Sequence, residues 1–236
     1  MKKLEKGFTL VELLVLIAIL GILMVAIVPN IMDAITKSQM QTMAKQGSDI
    51  VQNLNISEST RSLWPRAESV SSDTSDDEIY TKAYTTSTDY FKDLFDVENQ
   101  NSGEGAQPYV DGVKIESLWG NGVSKASPGS LTKENVAWTI LAGANGMNSD
   151  IPALITRNAD TSQFPVSGQN DMSQKKEKIN LESKFMTPFG KKGCIVITKN
   201  GAAMSLPARQ CRLCDIYEKQ TSVNIPASAK LKYLEP

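Results

Sequence analysis

Sixteen consecutive residues, Leu13 to Val28, carry neither a charge nor a strongly polar side chain. The apolar stretch that holds them runs from Phe8 to Val28, 21 residues broken only by Thr9 and Glu12 near its start. At a rise of ~1.5 Å per residue, such a helix spans about 30 Å, the thickness of a hydrocarbon core. Pro29 then stands where a continuing helix is kinked. Beyond it the pattern changes. Ile31, Met32, Ile35, Met40, Met43, Ile50, Val51 and Leu54 recur mostly at gaps of three, four or seven, with Lys37, Gln41, Lys45, Gln46 and Asp49 between them. That is an amphipathic helix. Gly47 is a weak point in it, and the pattern ends near Asn55 to Ser57. The reading is one helix of about 45 to 50 residues, ~70 Å long. It is apolar all round over 8–29 and amphipathic over 30–56, where its stripe packs on a globular part, 57–236.

The pattern in 57–236 is less regular. Ser57 to Ser130 is rich in Ser, Thr, Asp and Gly, and "ESVSSDTSDDE" reads as a solvated loop. Tyr90, Phe91, Leu94 and Phe95 in "STDYFKDLFD" predict a short amphipathic helix, capped by Ser87 or Thr88. "PYVDGVKIESLWG" predicts a loose hairpin around Asp111-Gly112 or an exposed loop. "NVAWTILAG" reads as a strand buried on both faces, or on one face with the other half covered. A second strand is expected around Leu154 to Thr156, with Pro152 at its start. Thr161 to Lys178 reads as a polar loop. "GCIVITKNGAAMSL" predicts a hairpin, with strands Cys194–Thr198 and Ala202–Leu206 about an Asn200-Gly201 turn. A helix first and antiparallel strands later make an α+β class.

Composition narrows the chemistry. The chain has 236 residues and a net charge of -1, so no whole-chain basic field draws nucleic acid. It has no histidine, which removes imidazole ligands and any Ser-His-Asp or Cys-His catalysis within the chain. No nucleophile stands beside an evident base, and an enzyme is not expected.

Three readings fit the N-terminal segment. Met1 to Gly7 holds three lysines and one glutamate, which keeps that end in the cytoplasm. A cleaved secretory signal has a shorter apolar region and a small-residue cleavage site, which "AIVPNIMDA" does not offer. A simple membrane anchor fits length and flanks but leaves Glu12 unexplained, since a carboxylate in the apolar layer is unfavourable. A cut between Gly7 and Phe8 supplies a partner. The new α-amino group lies in the same layer, and two staggered chains can pair the Glu12 carboxylate of one with the Phe8 amine of the next.

The stretch "KGFTLVELLVLIAILGILMVAIVPN" resembles the N-terminal signal of type IV pilins and type II secretion pseudopilins. A short basic leader ends in Gly7, followed by Phe8, Thr9, Leu10, Val11, Glu12 and Leu13, then the apolar helix with Pro29 as its helix proline. The resemblance covers about 30 residues. It implies removal of the leader 1–7 by a prepilin peptidase after Gly7, N-methylation of Phe8, and Glu12 as the assembly carboxylate. It also implies a long helix laid across an antiparallel sheet.

Cys194, Cys211 and Cys214 are the only cysteines. Cys211-Arg212-Leu213-Cys214 is a C-x-x-C, which in other settings is redox-active or binds zinc. Redox chemistry needs a βαβ setting that is not evident, and a zinc site lacks ligands. In an extracytoplasmic head, Cys194 could pair with Cys211 or with Cys214, stabilising by about 3 kcal/mol in the chain-entropy model. Many pilins carry a C-terminal disulfide loop of similar spacing. Three reduced cysteines remain an alternative. Asp73, Asp76, Asp77 and Glu78 are weak calcium candidates, although their spacing is not that of an EF-hand loop. No other cofactor is indicated. Asn55-Ile56-Ser57 fits a glycosylation sequon but at a helix end reads more simply as a cap.

These features describe a building block. The chain is expected in the bacterial inner membrane as a single pass, N-terminus cytoplasmic and head outside, and then in a periplasmic or surface filament. Its partners would be copies of itself, related pilins, the prepilin peptidase, and an assembly platform with its motor ATPase. A membrane-anchored binding module that never polymerises is the alternative.

Overall fold

The computed structural model describes residues 8–58, 64–68, 82–95, 113–144, 147, 150–172, 175–181, 184–217, 222–226 and 229–236. Helix α1 runs over Leu10–Glu58 with Pro29 inside it. It bends by 44° between Val25 and Ile27. That point lies one turn before Pro29, where a proline ring crowds the carbonyl four residues back. The chain divides into two compact units, one ending at Gln39 and one beginning at Met40.

In the first unit every large apolar side chain from Phe8 to Ile35 is exposed. Ile31, Met32 and Ile35, the first members of the amphipathic stripe, belong to this exposed group. Burial begins at Met40 and continues through Met43, Ala44, Gly47, Ile50, Val51 and Leu54.

The second unit is an α+β head. Its sheet has the order β5-β4-β2-β1-β7, with β1 Trp138–Ala142, β2 Pro152–Thr156, β4 Gly193–Thr198, β5 Ala203–Pro207 and β7 Lys232–Leu234. Every neighbouring pair is antiparallel. The central strands β1, β2 and β4 are buried at every position, as unbroken Val/Ile/Leu-rich runs demand. The α1 face from Met40 onward packs on this sheet through Gly47. A Cβ there would lie 2.7 Å from the Trp138 ring and 3.0 Å from Ile197. The weak point of the helix is thus a place of close approach to the sheet, where a side chain has no room. Two further ties hold the helix end to the β4–β5 turn. Ser48 Oγ donates to the Gly201 carbonyl at 2.6 Å. The Asn55 amide donates to the Lys199 carbonyl, so Asn55 is a tether rather than a cap.

Helix α2 (Ser87–Phe95) lies where expected and buries Tyr90, Phe91 and Leu94. Its cap is Thr86, one residue earlier than predicted. Thr86 Oγ1 accepts from Asp89 N at 3.1 Å and donates to the Asp89 carboxylate at 2.8 Å. Ser87 instead reaches the Trp138 carbonyl at 2.8 Å. The Asp111-Gly112 turn lies outside the described residues, and Ile115–Leu118 beyond it is a 3-10 turn rather than a strand. The polar stretch read as a loop contains β3 (Gly168–Asp171), paired with β6 (Ser222–Ile225) in a separate ribbon. Nothing in β3 marks it as a strand, because its three side chains and one glycine are polar or absent. Its partner more than 50 residues away decides it. Helix α3 (Leu213–Ile216) is a single turn.

Candidate functional site

Glu12 and its surroundings form the site that the sequence singles out. Thr9 and Glu12 make a reciprocal capping box at the start of α1. Thr9 N and Thr9 Oγ1 both donate to Glu12 Oε2, at 2.9 and 2.7 Å. Glu12 N returns a bond of 3.3 Å to Thr9 Oγ1. Sequence reasoning passed over this, although Thr-x-x-Glu before an apolar run is the signature of such a box. The carboxylate therefore has an internal role: it satisfies donors at the helix start and complements the positive end of the helix dipole. Oε1 has no partner among the described residues.

Phe8 precedes the box and is 82% exposed. Gly7 lies outside the described residues. The apolar face beyond Glu12 is exposed on all sides up to Val28, a surface far larger than a soluble monomer ordinarily shows. Gly21 lies within it, with open space where a side chain would be. By length and composition no single helix among the described residues suffices to cross a membrane, while the bent pair Leu10–Val25 and Ile27–Ser57 meets that test together.

The cysteines sit in the head. Cys194 on β4 and Cys211 are both buried, and their Sγ atoms lie 2.8 Å apart as free thiols. Cys214 is half-buried, with its sulfur 3.8 Å from Asp215 Oδ1. Among the described residues the antiparallel sheet supplies no βαβ unit around the C-x-x-C. No group of three or more Cys, Asp or Glu among the described residues is placed to hold a metal. Asp73, Asp76, Asp77 and Glu78 lie outside those residues.

A cleft of about 600 Å³ in the head is lined by Lys133, Arg157, Lys184, Phe185 and Met186 among others. Its central cation is already engaged. Arg157 donates to the carbonyls of Lys133, Val136 and Thr187 and stacks over Phe185 at 4.7 Å. Lys184 pairs with Glu235. These contacts hold the segment before β4 against the sheet.

Comparison with known proteins points to the same end of the chain. The family model for the prokaryotic N-terminal methylation motif matches residues 2–28. The type II secretion system core protein G of Aeromonas hydrophila is 30% identical over 154 residues, covering 64% of this chain and 92% of that protein. No solved structure matches the chain.

Proposed function

The chain belongs to the pilin and pseudopilin family, and on that premise we propose that it is a structural subunit of a type II secretion pseudopilus or a related type IV filament. The observation that carries this reading is the all-round exposed apolar helix behind a capped Thr9–Glu12 start. Such a surface has two stable environments, lipid or the helices of other copies. The subunit waits in the inner membrane with its head outside, after removal of residues 1–7 and methylation of Phe8. It then moves into a helical polymer through head-to-tail contacts, which form open filaments rather than closed rings. The prepilin peptidase, the assembly platform and its ATPase are the partners this route requires. The relative's name favours secretion over a surface pilus. The role is structural, with no catalytic step and no cofactor.

In this reading Glu12 acts twice. Oε2 caps its own helix, while Oε1, which has no partner among the described residues, faces the Phe8 amine of a neighbouring subunit. A non-polymerising anchored module is the second reading, favoured by the capping box, which accounts for Glu12 without any neighbour.

Two substitutions separate them. Glu12→Gln keeps an acceptor for the box, since Gln serves at this position as Glu does, but removes the charge. Glu12→Ala removes both. Cross-linking and shearing of filaments from cells are expected to find both variants processed to Phe8 and neither incorporated. Normal filaments from Glu12→Gln would reduce Glu12 to a cap. The mass of the N-terminal peptide from native membranes checks processing itself: a methylated start at Phe8 is expected, and a start at Met1 would refute it.

A further inference from the structure

We infer that Cys194 and Cys211 form a disulfide in the mature head, with Cys214 left as an unpaired thiol. The inference deepens the function proposed above and rests on its extracytoplasmic placement of the head, where disulfides persist.

The fold brings the two sulfurs together without help from a bond between them. Cys194 is the second residue of β4, in register with Leu206 of β5. After β5 the chain turns sharply, with Ala208 N donating to the Lys192 carbonyl at 2.9 Å and Gln210 N to the Pro207 carbonyl at 2.8 Å. The turn returns the chain to the start of β4. Cys211 is then fixed from its other side, as Ile179 N donates to its carbonyl at 2.8 Å and Lys178 bridges to Arg212. The result is a Sγ–Sγ separation of 2.8 Å, closer than two unbonded sulfurs rest, with exposures of 0% and 1%. Cys214, one residue into α3, takes no part in the pair. The spacing alone left Cys211 and Cys214 as equal partners.

The step balances as a two-electron oxidation. Two thiols lose two protons and two electrons, and one S–S bond forms. The acceptor is a disulfide-bearing thiol oxidant, reduced to its dithiol. One cysteine attacks that disulfide, and the other then displaces the oxidant from the mixed disulfide. In the folded, reduced head the hydrogen bond to Cys211, together with burial, holds the Cys194 thiol well above its ordinary range. With neither sulfur open to solvent, exchange belongs to the folding chain rather than the finished head. The bond then closes a loop around the β4–β5 hairpin and secures the segment that leads to α3.

Trypsin reads the pairing directly, because it cuts at Arg209 and Arg212. Cys194 falls in peptide 193–199, Cys211 in 210–212 and Cys214 in 213–219. The full chain in native membranes is trapped with an alkylating agent under denaturing conditions and digested without reductant. The expected products are 193–199 joined to 210–212, with only 213–219 alkylated; reductant raises the count from one tag to three. Peptide 193–199 joined to 213–219 overturns the assignment.

Protease access to the head in spheroplasts reads its placement separately. Three free thiols on an accessible head count against the pairing. Three free thiols on a protected head count against the placement instead. The pairing is then decided by refolding the full chain in detergent with reduced and oxidised glutathione, where failure of 193–199 to join 210–212 overturns it. Cys214→Ser leaves the cross-link unchanged in every arm.

Discussion

The two halves of α1 have the same backbone and opposite surroundings. Up to Ile35 the helix exposes Leu, Ile, Val and Met on every side, while from Met40 it buries one stripe and leaves Gln41, Lys45 and Gln52 outward. Their glycines mark the contrast most sharply. Gly21 faces open space, whereas Gly47 lies against Trp138 and Ile197. One half buries its stripe within the subunit and the other leaves its apolar side chains exposed. One helix thus carries the stability of the head at one end and, in the proposed filament, the contacts with other copies at the other.

The comparison breaks most visibly if equal truncations have equal effects. Leu54, fully buried, is expected to cost the head about 2–5 kcal/mol on truncation to Ala. Leu16→Ala, at a position about half exposed, leaves head unfolding unchanged. Denaturant melts of the full chain in detergent, followed by the fluorescence of its three tryptophans, all in the head, measure both. A large loss from Leu16→Ala would mean that the first half is part of the folded core.

The glycines sharpen the same point. Gly47→Ala gains about 1 kcal/mol of helix propensity but forces a methyl into an occupied contact, which typically costs about 1–3 kcal/mol. The same melt is expected to show a net destabilisation of about 1 kcal/mol. Gly21→Ala meets no atom in the subunit and is expected to leave the melt unchanged.

The smallest effects come from two Thr caps, each bonded to an acidic residue three positions on. Thr86→Ala removes the cap of α2 and is expected to lower head stability by about 1 kcal/mol. Thr9→Ala removes the corresponding hydroxyl from α1 and is expected to leave the head melt unmoved, because that helix end lies in the other compact unit. A matching loss from Thr9→Ala would erase the distinction between the two regions.

Much of this was legible in the chain. Continuous apolar runs announce buried strands, so β1, β2 and the β4–β5 hairpin were found with their borders nearly right. The long helix and the FTLVE motif were equally plain. The misses share a cause. β3 is polar and becomes a strand only because β6 lies beside it. β7 was passed over at the end of the chain, where its pairing with β1 closes the sheet. The Thr9–Glu12 box is legible as Thr-x-x-Glu spacing, while the charge of Glu12 in an apolar run points to a partner outside the chain.

What the sequence determined by itself is what depends on neighbours a few residues away: helical periodicity, apolar runs, the Asn-Gly turn and the basic leader before an apolar segment. These follow from local sterics and from how each side chain partitions between water and oil. Only the tertiary structure decided which cysteine faces Cys194, why Gly47 is a glycine, and where along α1 burial starts. Each of those depends on atoms that meet across more than fifteen residues of chain. Such meetings are fixed by the joint packing of helix and sheet, which no single segment encodes.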